Sequence, residues 1–107
     1  MRISDRIAEI LVENSIVDTF MVTGGGAMHL NDALSRNEKI TVTNMHHEQA
    51  CSMAADGYTR LSNKIACVNV TTGPGGINAI NGVYGAWTDS LPMIVPVSYT
   101  HLRAHET

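Results

Sequence analysis

The spacing of apolar positions divides this chain into helices that alternate with short strands. Apolar residues at a helical period predict helices at residues 4–14, 27–35, 47–61 and 77–88, with Ser4 as the cap of the first. Short, largely apolar runs predict strands at residues 19–22, 40–43, which is β-branched, and 65–70, and a further strand that begins at residue 93. This alternation is typical of an α/β domain in which helices cover both faces of a mostly parallel sheet, with about four strands present here.

Charge is absent from a long stretch in the second half of the chain. No charged residue occurs from Ile65 through Thr88, and the helix predicted there contains small residues such as Gly82 and Ala86. Such a helix is expected to be buried on more than one side. Because a chain of 107 residues forms only a modest core, we expect a large subunit or domain interface to cover part of it.

Composition excludes several classes of function. The net charge is −3 without a basic patch, which argues against a nucleic-acid partner. No apolar run approaches the roughly 20 residues of a membrane span, so no membrane partner is expected. Charged residues near the start, such as Arg2 and Asp5, are unlike a signal peptide. Cys51 and Cys67 are isolated, and we expect free thiols in a cytoplasmic protein.

The end of the chain differs from the rest. Residues 97–107 are polar, follow neither period, and resemble the translated end of a transposase-type sequencing-library adapter. We therefore predict that residues 1–96 are the biological part, an incomplete domain, and that residues 97–107 are an artefact. The alternative is a natural C-terminal tail.

Glu48 is the most informative candidate for chemistry. It lies where a predicted strand gives way to a predicted helix, and it is the only acidic residue between Glu38 and Asp56. One interpretation is a helix-start carboxylate that faces the helix dipole. The other is a carboxylate buried for proton transfer. The local sequence leaves both interpretations open.

Two glycine turns follow strands at corresponding places. The first is Gly24-Gly25-Gly26, and the second, residues 71–78, contains Thr72, Gly73-Pro74-Gly75 and Asn78. Neither turn completes a dinucleotide-binding fingerprint, which disfavours a nucleotide-binding domain. The second turn has few side chains, so a flat ligand could lie against it while Thr72 and Asn78 offer polar atoms; a plain strand–helix turn is the alternative.

A metal site is the remaining candidate. His46, His47 and Cys51 could supply three ligands, and His47 and Cys51 would share a helix face. Since nothing else in the chain has ligand spacing, and small core packing explains the cysteine, we predict no metal site in this chain.

Four motifs in order resemble a known family. They are Thr23-Gly24-Gly25-Gly26, His47-Glu48-Gln49-Ala50, Thr72-Gly73-Pro74-Gly75 with Asn78, and Asp89-Ser90-Leu91-Pro92-Met93. Together they resemble the N-terminal, pyrimidine-binding domain of thiamine diphosphate-dependent enzymes, and most of all the acetolactate synthase-like group. The resemblance implies a truncated, flavodoxin-like, three-layer α/β/α fold and a cofactor bound between two subunits.

The resemblance also implies roles for single residues. In such enzymes the glutamate at the position of Glu48 bonds the N1′ atom of the aminopyrimidine, promotes its imino tautomer and so activates the thiazolium for attack on a 2-keto acid. Gly24, Gly25, Thr72, Pro74, Gly75 and Asn78 would contact the cofactor together with Glu48.

Partners and further cofactors follow from the same resemblance. It implies a homodimer or tetramer formed through the face that carries Glu48. Mg²⁺ would be bound by a domain that this chain lacks, so the fragment alone would be inactive. FAD is compatible with the resemblance, but no residue here supports it. The alternative function is a non-catalytic binding or regulatory module of the same fold.

Overall fold

The chain folds as helices and short strands in strict alternation. The structure, a computed structural model, describes residues 2–97. The elements are α1 (Ile3–Glu13), β1 (Asp18–Met21), a short 3-10 turn (Gly25–Ala27), α2 (Met28–Arg36), β2 (Thr41–Asn44), α3 (Glu48–Ser62), β3 (Cys67–Asn69) and α4 (Pro74–Thr88).

The sheet has the order β2-β1-β3, and every pair of neighbouring strands is parallel. Phe20 of β1 lies opposite Thr43 on one side and Val68 on the other. Next to β3, Ile94 forms a single parallel bridge with Cys67. The predicted α/β fold with a parallel sheet is therefore confirmed, although the predicted fourth strand is only this one bridge among the described residues.

Helices cover both faces of the sheet and create two separate cores. One core lies under α1 and α2, where Leu11 and Leu34 pack around Cys67 of β3. The other lies under α3 and α4, where Ala55 and Ala79 pack on Val68. Cys67 and Val68 fall in different cores because successive side chains of a strand point to opposite faces.

α3 and α4 pack closely through small residues. A Cβ atom built on Gly82 would lie 2.6 Å from the Ser52 Cβ and 2.7 Å from the Ser52 carbonyl carbon. This close approach buries one face of α4, whose buried residues are Gly75, Ala79, Gly82 and Ala86. The opposite face stays exposed in the isolated chain, so the prediction of burial on more than one side is not met by this chain alone.

Several predicted boundaries were wrong by a few residues. The first helix is capped by Arg2 rather than Ser4, because the Asp5 carboxylate accepts a hydrogen bond from the Arg2 backbone N–H at 3.4 Å. The last helix begins at Pro74 rather than at residue 77. Proline suits the first helical position because it lacks only an N–H that would be unpaired there.

The end of the chain is described only in part. Of the predicted artefact, residues 97–107, the structure describes Val97 alone, and that prediction otherwise lies outside the described residues. Within residues 2–97, no helix combines the length and the apolar character needed to cross a membrane.

Candidate functional site

Three loops meet at one edge of the sheet. The Gly24–Gly26 turn follows β1, His46 and His47 follow β2, and the Thr71–Gly73 loop follows β3. The strands are parallel, so their carboxyl ends lie at the same edge. The chain runs from β1 to β2 on one side of β1 and then crosses back to form β3 on the other side. Ligands of open α/β sheets bind at such a topological switch point.

Glu48 is the first residue of α3 and lies at this edge. Its side chain is half-buried. The Oε1 atom accepts a hydrogen bond from Asn78 Nδ2 at 3.0 Å. The Oε2 atom lies on the side of Gly75, 3.5 Å from the position that a Cβ there would take. The structure thus brings Glu48, Asn78 and Gly75 together. Asn78 binds the Oε1 atom of the carboxylate and does not bind the Oε2 atom.

His47 caps α3 and borders the same group. Its Nδ1 atom accepts from the Gln49 backbone N–H at 3.0 Å, and its Nε2 atom lies 3.2 Å from Asn78 Nδ2. A capping side chain satisfies one of the otherwise unpaired N–H groups at a helix start. The cap fixes the beginning of α3 and hence the position of Glu48.

Thr71 connects the two glycine turns. This contact was not predicted from the sequence. Its Oγ1 atom accepts from the Gly26 backbone N–H at 3.1 Å. A Cβ built on Gly24 would lie 2.5 Å from the Thr71 Cβ, and one built on Gly75 would lie 2.8 Å from its Cγ2. Glycine is therefore required at both positions. No periodic pattern signals this contact, because it joins residues far apart in the chain.

The other residues predicted to bind the cofactor either border open space or pack within the two glycine turns. Cβ atoms built on Gly25 and Gly73 would meet nothing within 4 Å, so both turns have a free surface at these glycines. Gly73 has a φ of 65°, a conformation that glycine adopts easily. Pro74 is exposed at the start of α4, and the Thr72 side chain packs against Gly26 rather than on Glu48.

His46, His47 and Cys51 are the candidate metal ligands in the sequence. Among residues 2–97, no group of three or more His, Cys, Asp or Glu side chains is placed to hold a metal ion. Cys51 is fully buried in the core below Glu48. Burial, and to a smaller extent the charge of Glu48, raises the pKa of the Cys51 thiol to about 11. A thiol of this kind remains protonated near neutral pH and is a poor ligand.

Comparison with known families decides the relationship. The family described as "Thiamine pyrophosphate enzyme, N-terminal TPP binding domain" matches residues 1–104. The chain belongs to this family. Thiamine pyrophosphate is another name for thiamine diphosphate, so the family is the one that the four motifs indicated.

Several relatives within the family are acetolactate synthases. The acetolactate synthase large subunit of Haemophilus influenzae is 37% identical over 92 residues, which are 86% of this chain and 16% of the relative. Acetolactate synthase 1, chloroplastic, of Oryza sativa is 35% identical over 91 residues, or 85% of this chain and 14% of the relative. Acetolactate synthase isozyme 3 large subunit of Escherichia coli is 34% identical over 92 residues, with 86% and 16% covered. The chain thus spans about a sixth of the length of these relatives.

Proposed function

We propose that this chain supplies the pyrimidine-binding half of a thiamine diphosphate site in an enzyme that acts on 2-keto acids. The reaction would form a carbon–carbon bond, as in the acetolactate synthase-like group, or remove carbon dioxide. The observation that carries the proposal is the position of Glu48 at the switch-point edge, bonded to Asn78 and facing Gly75. Residues 1–96 would be one part of a longer protein, and this part alone would be inactive.

The surface beside Glu48 suits a flat heterocycle. Gly25 and Gly73 leave free surface on both glycine turns, while Gly24 and Gly75 are packed on Thr71 and cannot carry a side chain. The result is a shallow surface of backbone with one carboxylate at its border. An aminopyrimidine ring, which is flat and has both donors and acceptors, could meet these groups without a clash.

Glu48 would hold or release a proton at the ring nitrogen of the bound cofactor. Asn78 donates to Oε1, which leaves Oε2 to meet the ring. A fixed carboxyl group positioned in this way needs no reorganisation when the proton moves. When bound, thiamine diphosphate supplies an acidic carbon that adds to the keto group of the substrate.

The other predicted contacts have different roles in this proposal. Gly24, Gly25, Pro74 and Gly75 would line the cofactor, and Asn78 would orient Glu48 as well as border the site. Thr72 packs on Gly26, so it would shape the first turn. Mg²⁺ would be bound with the diphosphate by a part of the protein outside this chain. FAD has no support among residues 2–97 and is not part of the proposal.

The partner surface in this proposal is the outer face of α4. Ile77, Ile80, Tyr84 and Trp87 are exposed there, Trp87 by 81% and Tyr84 by 69%. The same helix carries Asn78, which bonds Glu48. An exposed apolar patch next to a site favours coverage by another protein surface. We therefore assign this face to a homodimer or tetramer contact.

The compartment in this proposal is the cytoplasm. Both cysteines are free thiols, which suits a reducing compartment.

Charge on this face should weaken association. In the full-length protein, changing both Ile80 and Trp87 to lysine places two charges where an apolar contact is proposed. We expect sedimentation velocity to show a shift toward monomer. Ile3, which is 82% exposed on α1 in the opposite helical layer, provides the matched control. Ile3→Lys should leave the oligomer intact, and an intact oligomer in the double variant would contradict the assigned face.

Cofactor binding tests the proposed function itself. Calorimetric titration of the full-length protein with thiamine diphosphate in the presence of Mg²⁺ should give saturable binding. Thiamine diphosphate should also raise the midpoint of thermal unfolding, since a ligand that binds the folded state stabilises it. Absence of both effects would favour the non-catalytic module of the same fold.

A further inference from the structure

Two asparagines form a polar contact inside the helix–sheet layer beneath the first glycine turn. Asn69 is the last residue of β3 and is completely buried. Its Nδ2 atom donates to the Oδ1 atom of Asn31, on α2, at 2.5 Å. Asn31 is half-buried, and its own Nδ2 atom donates to the Gly24 carbonyl oxygen at 3.4 Å. The pair therefore connects the carboxyl end of β3 to the turn that follows β1.

This contact is costly for stability alone. The Asn69 Oδ1 atom is buried and has no hydrogen-bond partner among the described residues. A buried acceptor without a partner has lost its bonds to water and destabilises the folded state. Apolar side chains at the two positions would avoid this cost, because replacing both members of a buried polar pair is often neutral or stabilising. The stability of the fold therefore does not explain the pair.

The position of the pair suggests its purpose. Gly24, whose carbonyl Asn31 holds, packs on Thr71 with no space for a Cβ atom. Thr71 in turn packs on Gly75, which faces Glu48. A displacement of Gly24 would therefore move Thr71, and Thr71 would in turn displace Gly75 beside the Glu48 carboxylate.

We propose that Asn31 and Asn69 are positioning residues that hold the first glycine turn at its correct distance from Thr71 and Glu48. The proposal rests on the proposed function, because the ligand concerned is thiamine diphosphate. Neither asparagine touches the reacting atoms in this proposal. They act by fixing the position of the Gly24 carbonyl. The shape of the surface that would contact the cofactor depends on this position.

A double variant separates positioning from folding. Asn31→Ala combined with Asn69→Val in the full-length protein removes both polar groups and suits the helix and the strand respectively. We expect the midpoint of thermal unfolding to stay the same or rise. We expect the dissociation constant of thiamine diphosphate, measured by calorimetry with Mg²⁺, to increase about fivefold or more, which corresponds to the loss of one hydrogen bond.

Thr59 provides the matched control. It is 5% exposed on α3, and its Oγ1 atom also lacks a partner among the described residues. Thr59→Val removes a comparable buried polar group away from the glycine turns. It should keep or raise the unfolding midpoint and leave the dissociation constant unchanged, so a drop in cofactor affinity would not be a general result of removing buried polar groups.

Three outcomes decide the proposal. If the wild type binds thiamine diphosphate and the folded double variant binds it equally well, the positioning role is overturned and the proposed function stands. If the wild type does not bind thiamine diphosphate, the positioning role and the proposed function both fail. If the double variant does not fold, Asn31→Asp decides, because aspartate still accepts from Asn69 but has no N–H for the Gly24 carbonyl. Weakened binding supports the role, and unchanged binding overturns it.

Discussion

Replacing Glu48 with glutamine in the full-length protein should lower turnover of a 2-keto acid by about a hundredfold or more, the usual contribution of a positioned acid or base. Glutamine has nearly the same shape, and its Oε1 atom can still accept the hydrogen bond that Asn78 donates to Glu48 at 3.0 Å. Its amide neither takes up nor gives up a proton as an acid or base near neutral pH. The fold should therefore persist while the proton transfer is lost. The measurement is kcat with pyruvate as substrate, together with circular dichroism to verify the fold.

Glu38→Gln is the matched control for this variant. Glu38 is exposed in the loop before β2, at the opposite end of that strand from Glu48. The same change of charge there should leave kcat within about twofold, since a single exposed charge contributes little to a distant site. Near-normal turnover of Glu48→Gln would contradict the proposed role, and an equal loss in both variants would point to a general effect of charge.

Replacing Gly82 with alanine should strongly destabilise the fold. A Cβ at this position would lie 2.6 Å from the Ser52 Cβ and 2.7 Å from the Ser52 carbonyl carbon, so α3 and α4 would have to separate. Overpacking of this kind costs about 1 to 3 kcal/mol. Urea denaturation of the chain, followed by circular dichroism, measures the free energy of unfolding.

Gly57→Ala separates crowding from the helix preference of alanine. Gly57 lies within α3, and a Cβ there would meet nothing within 4 Å. Alanine should stabilise the helix at this position by about 0.5 to 1 kcal/mol. Ser52→Gly should not fully rescue Gly82→Ala, because the Ser52 carbonyl carbon remains. A Gly82→Ala variant as stable as the wild type would contradict the close packing of α3 on α4.

Hydrophobic spacing predicted the order and type of the elements well. Short apolar or β-branched runs predicted each of the three sheet strands, and their alternation with helices predicted a parallel sheet. Boundaries were predicted less well, because capping decides them. The Asp5 side chain moves the first cap to Arg2, and Pro74 begins its helix three residues earlier than the apolar spacing indicated.

The candidate site was predictable only in part. Glu48 could be identified because a carboxylate after a strand, followed by small residues, is unusual. The contacts of Thr71 with the first glycine turn, and of Asn31 with Asn69, span 45 and 38 positions of the chain. Local periodicity contains no information about such pairs, since they arise only when parallel strands bring their ends together. The sequence predicted an interface on α4 but not which face of the helix forms it, because an uncharged helix does not indicate which side meets its own core.

The role assigned to Glu48 is tested most directly by the exchange of one proton of the bound cofactor. The full-length protein, saturated with thiamine diphosphate and Mg²⁺, is mixed with D₂O, quenched with acid and examined by proton NMR for the C2 signal of the thiazolium ring. If Glu48 activates the cofactor, exchange in Glu48→Gln should be about a hundredfold slower or more, while Glu38→Gln exchanges like the wild type. Equal exchange rates in Glu48→Gln and the wild type, with the cofactor bound in both, would contradict the assignment.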